Sequence, residues 1–119
     1  MPNKVEGSVR AINSSVVIAS GASLTAAIDL DDARLASIQL PSAWTAANLT
    51  FQTSLDGVTY GDWYDSSGVE YTVTAAASRS IGLQLVDFIP YRYIKIRSGT
   101  TGTPVVQGAA RNLILGLTA

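Results

Sequence analysis

The sequence predicts an all-β chain, an antiparallel β-sandwich, on three observations. Apolar and polar residues alternate with a period of two along most of the chain. Gly, Asp and Ser break the alternation repeatedly, as turns between short strands do. Only one short stretch, Pro41 to Ala47, has the composition of a helical turn, with Pro to open it and Ala to tolerate it. At 119 residues one core suffices, so a single domain is expected.

In chain order, residues 1–12 begin with Pro2, Asn3, Lys4 and Gly7, and read equally as an extended arm or as an edge strand starting at Val5. Residues 13–119 are expected to form the domain. Val16–Ala19 and Leu24–Leu30 follow; Ser20, Gly21, Ser23, Thr25 and Asp29 interrupt what would otherwise resemble a secretory leader core. Leu35–Leu40 leads to the Pro41 turn. Leu49–Ser54 carries Leu49 and Phe51 on one face with Thr50, Gln52 and Ser54 on the other. Asp56-Gly57 is a hairpin-turn signal, since Gly supplies the positive φ. Asp62–Tyr64, Glu70–Thr74 and Arg79–Val86 are further strands. Tyr93–Ser98 buries Ile94 and Ile96 and turns Tyr93, Lys95 and Arg97 outward. A loop, Ser98 to Pro104, is flexible by composition, and Val105–Gln107 and Arg111–Leu117 close the series. Strands with one dry face each require two sheets to pack together.

Composition narrows the function. The chain is 47% hydrophobic and only 14% charged, against about 25% charged in an average domain. A neutral surface is poorly defended against association, which points to assembly. A net charge of −1 gives no basic excess for nucleic acid. No apolar stretch is long enough for a membrane span. Residues 1–70 hold eight acids and three bases, whereas residues 71–119 hold Asp87 and five bases. Interleaving of strands from both halves is expected to blur that asymmetry.

Neither His nor Cys occurs, which excludes the usual zinc sites, Ser-His-Asp and Cys-His catalysis, haem and iron–sulfur ligation. Asp62, Asp65 and Glu70 are near enough in sequence to ask whether they form a glycosidase carboxylate pair, but they read better as turn residues. Asp29, Asp31 and Asp32 offer oxygen ligands for calcium without the spacing or closing Glu of a calcium loop. Catalytic, cofactor and metal residues are therefore expected to be none. Trp44, Tyr60, Trp63, Tyr64, Tyr71, Tyr91 and Tyr93 would form a sugar platform only if exposed and coplanar; burial of Trp44 and Trp63 would remove it.

Two segments, Leu49 to Tyr60 with its Ser54-Leu55-Asp56-Gly57 turn, and Tyr91-Arg92-Tyr93-Ile94-Lys95-Ile96-Arg97, resemble the hallmark strands of discoidin-like, galactose-binding-like jelly rolls. A wider ordered pattern spans Ile38 to Ala47, Ser54 to Gly57, Arg97 to Thr100, Pro104 to Gln107 and Ala109 to Arg111. It resembles small structural proteins encoded among tailed-bacteriophage virion genes and covers nearly the whole chain from Ser20 onward. The resemblance implies a jelly roll located in the virion. It implies a capsid decoration (cement) protein that binds the major capsid protein, assembles with copies of itself and stabilises the head. A neck or tail accessory, or a carbohydrate-binding module for cell-surface adhesion, is the alternative. No cofactor, nucleic acid or membrane partner is implied, and the loop residues of sugar-binding jelly rolls find no match here. Tyr91, Tyr93, Lys95 and Arg97 are the candidate protein-contact residues, and replacing Tyr93 and Arg97 with Ala is expected to weaken incorporation while leaving the domain folded.

Overall fold

The computed structural model describes residues 11–118, and the strands within them alternate between two sheets. The strands are Ala11–Ile18 (β1), Ile28–Asp29 (β2), Arg34–Gln39 (β3), Leu49–Ser54 (β4), Gly61–Asp62 (β5), Ser80–Gly82 (β6), Tyr93–Ser98 (β7) and Arg111–Thr118 (β8). One sheet has the order β1-β8-β3-β6 and the other β2-β7-β4-β5, with every pair antiparallel. Apart from the β4–β5 hairpin, each strand crosses to the opposite sheet from its predecessor. That is the strand order of a jelly roll. The arm or edge strand expected over residues 1–12 lies outside the described residues, except that Ala11 and Ile12 begin β1.

Alternation decides which side chains meet between the sheets. Leu49 and Phe51 of β4 face inward with Ile94 and Ile96 of β7, and the register sets Phe51 against Ile96. From the other sheet come Ile18, Leu35, Ile38, Leu113 and Leu115, all fully buried. Leu35 and Ile38 are three apart and should point to opposite faces. A register shift between Leu35 and Ser37 inserts one extra residue, and both side chains reach the core. Burial of each such side chain stabilises the fold by about 1.5–3 kcal/mol.

One end of the core is aromatic. Trp63 stacks on Tyr71 at 4.0 Å, and Phe88 meets Phe51 and Trp63 edge-on at 5.7 and 5.1 Å. Phe88 reaches that position because Leu85–Phe88 winds into a single 3-10 turn. The strand expected over Arg79–Val86 therefore stops at Gly82. The helical turn expected at Pro41–Ala47 is instead one hydrogen-bonded turn, with the Trp44 N–H donating to Pro41 C=O at 3.4 Å, while the indole N–H donates to Ala47 C=O. The 3-10 turn is the only helical element among the described residues.

Candidate functional site

The two outer sheet faces differ in chemistry. On the β2-β7-β4-β5 sheet the centre is Arg97, whose side chain is only 8% exposed. Its Nη2 lies 2.6 Å from Asp62 Oδ1, and its Nη1 lies 3.3 Å from Glu70 Oε2. Nη1 also donates to the hydroxyls of Thr50 and Thr101. Thr50 stands opposite Arg97 in the β4–β7 register, and its hydroxyl passes its own proton to Gly99 C=O at 2.7 Å. The Arg97 hydrogen bond holds the Asp62 carboxyl below the usual carboxylate range, with Gln52 as a further donor.

The same cluster ties down the Ser98–Pro104 loop, which composition alone marks as loose. Gly99 N–H donates to Asn48 C=O and Val105 N–H to Ser98 C=O, while Thr101 is bound to Glu70 through both its N–H and its hydroxyl. Gly99 has φ +90°, and a Cβ there would lie 2.5 Å from Thr103 O, so only glycine fits.

Further along this face the charges are also matched. Arg92 grips Asp29 at 2.9 and 3.1 Å, which lowers the Asp29 pKa, and Asp29 in turn accepts the Asp31 N–H. The run Asp29, Asp31, Asp32 is thus a turn clasped by an arginine, and among the described residues no group of three or more acids is placed to hold a metal ion. Among the described residues, the four ion pairs each join an acid of the first 70 residues to Arg92 or Arg97, so the two halves of the sequence meet in charge on this face. Lys95 lies over the Tyr60 ring at 4.3 Å, and burial raises the pKa of the Tyr60 hydroxyl, which has no hydrogen-bond partner among the described residues. Tyr93 packs over Gly57, where a Cβ would come within 3.1 Å of its ring. Tyr91 meets Trp63 at 5.0 Å.

Of the four contact candidates, Tyr93 and Lys95 therefore stay half-buried on the outer face, Tyr91 joins the aromatic cluster and Arg97 is enclosed. Asp62 and Glu70 are brought together, but by Arg97, which fixes both carboxylates as ion-pair partners. Asp65 instead caps its own turn, accepting from the N–H groups of Ser67 and Val69. Trp44 and Trp63 are buried, 6% and 8% exposed.

The β1-β8-β3-β6 face has a different character. Outward positions are Asn13, Ser15 and Val17 on β1, and Asn112, Ile114 and Gly116 on β8. Ser37 and Gln39 continue it on β3, and Ser80 and Gly82 on β6. None is charged; Arg34, at the end of β3, turns its guanidinium back onto the carbonyls of Asp32 and Ala33. Ile114, 41% exposed, borders three open depressions of about 250, 360 and 310 Å³. The chain matches no family model, no curated protein and no solved structure.

An uncharged sheet face carrying the exposed side chains of Val17 and Ile114 suits a protein surface. It offers hydroxyl and amide groups for hydrogen bonds and asks no partner to bury an unpaired charge. This face carries no charged or aromatic residue to mark it in the sequence. The signal was the odd-numbered run Asn13, Ser15, Val17, each uncharged and each pointing away from Ile12, Val16 and Ile18. Gln107 was also missed as a structural hub: fully buried, it donates to Thr45 C=O and Ser98 Oγ and accepts from Thr45 N–H and Arg111.

Proposed function

We propose that this chain is a structural protein of a tailed-bacteriophage particle, a capsid decoration (cement) protein that seats on the major capsid protein and stabilises the head. The observation that carries the mode of action is the uncharged outer face of the β1-β8-β3-β6 sheet. The particle context comes from the ordered sequence resemblance over most of the chain. In this reading each module lies across a junction between capsid subunits, and rupture of the head must first break its contacts. Many weak, repeated interfaces then reinforce the shell, because each bound copy holds its neighbours in place.

A neck or tail accessory is the variant of this reading that differs in copy number. The carbohydrate-binding alternative loses support, because Trp44 and Trp63, the largest aromatic groups available for sugar stacking, are core residues. The deciding experiment counts copies of the chain per purified particle by quantitative mass spectrometry against the major capsid protein. A count on the scale of the capsid protein itself supports decoration of the head. A count fitting a single ring moves the protein to the neck or tail, and absence from particles overturns the structural reading.

A further inference from the structure

Three of the four sheet edges among the described residues are short: β2 and β5 run two residues each and β6 three. The fourth, β1, runs eight residues, pairs along its whole length with β8, and has no described strand on its other side. Such an edge is a row of unpaired N–H and C=O groups, and chains that remain single blunt it with charges, prolines or bulges. β1 has none of these. Its sequence, Ala-Ile-Asn-Ser-Ser-Val-Val-Ile, is uncharged and free of proline, and its register with β8 shows no shift.

We infer that β1 is the pairing edge for a second copy of this chain, joined antiparallel across a two-fold axis, so that two four-stranded sheets become one eight-stranded sheet. A two-fold perpendicular to the sheet keeps outward faces outward, so paired residue numbers must sum to an even value. The longest overlaps that satisfy this centre on Ser14 or Ser15. Either register meets only uncharged side chains; the Ser15-centred one sets Ile12 against Ile18 of the second copy on the core side. This self-complementarity is what selects a second copy as the occupant. Eight strands at the usual spacing would present one uncharged face about 40 Å across. The inference deepens the assembly reading above by naming a partner, yet its test needs only the isolated chain.

Sedimentation of the full chain over a range of concentrations, with Ser15→Lys and Ser15→Glu beside it, tests the assignment. Ser15 is exposed, and circular dichroism establishes that each variant is folded. The unmodified chain is expected to dimerise. Each variant places like charges beside the two-fold and raises the dissociation constant on the order of tenfold. An equimolar mixture of the two variants recovers the dimer. A chain that stays single at every concentration overturns the inference, as does a dimer that both variants retain. Hydrogen exchange on the unmodified chain reads the same edge without substitution: β1 amides gain protection as concentration rises, and protection indifferent to concentration overturns the assignment.

Discussion

Arg97 does the work of a structural anchor. Two carboxylates and two hydroxyls converge on it, so removing the guanidinium leaves Asp62 and Glu70 facing each other in a partly closed site. Arg97→Ala is expected to cost about 3 kcal/mol in denaturant unfolding, and Arg97→Lys to recover part of it because an ammonium lacks the planar fork. Replacing Arg97 therefore lowers the stability of the domain as well as changing its surface. The lowered Asp62 pKa sets the direction of the acid response. A carboxylate depressed on folding stabilises the protein fully above its ordinary value of 3.8, and the contribution is lost as pH falls through the lowered value. The thermal midpoint should stay level from about pH 7 to 5 and fall below about 4, and Asp62→Asn should flatten part of that fall. An acid slope identical in Asp62→Asn would remove the assignment.

At the scale of elements, a loop can be rigid when its partners lie elsewhere in sequence. Gly99→Ala forces a side chain into Thr103 and Val105 at positive φ, and a loss of about 2 kcal/mol is expected; Gly102→Ala, with open space around it, should change little. Comparison of their unfolding midpoints checks both. The same distinction explains what the sequence made legible. β4 and β7 match their expected bounds to the residue, since Leu49/Phe51 and Ile94/Ile96 set clean dry faces. Leu24–Leu30 has an equally clean alternation, yet only Ile28–Asp29 is strand, because Thr25 is buried and exchanges hydrogen bonds with Ile96. Glu70–Thr74 reduces to isolated bridges, and Val105–Gln107 forms no strand once Gln107 turns into its hydrogen-bond hub. Asn13-Ser14-Ser15, read as a break, lies inside β1, because serines suit a strand whose outer face is neutral. Arg97's partners were invisible for a related reason: Asp62 and Glu70 are 35 and 27 residues away, and no local pattern announces such a meeting.

For the whole molecule, the contrast between outer faces is the organising feature: one carries the ion pairs of Arg92 and Arg97, and the central outward positions of the other, from Asn13 to Val17 and Asn112 to Gly116, carry no charge. Contact with a particle should therefore be sensitive on the neutral side. Ile114→Lys is expected to leave unfolding within about 0.5 kcal/mol of the unmodified chain while reducing incorporation into particles several-fold. Tyr93→Ala, on the opposite face, is the counter-test: normal incorporation keeps the contact on the neutral sheet, and weakened incorporation returns it to β7. The pairing of β1 with β8 has a consequence in time as well as in space. The first described strand has its partner at the far end of the described residues, Ala11 against Thr118, so the sheet that holds both cannot close until the ribosome has made β8. Until then an uncharged segment rich in valine and isoleucine waits without its β8 partner, and that exposure to aggregation is the kinetic side of so long-range a pairing.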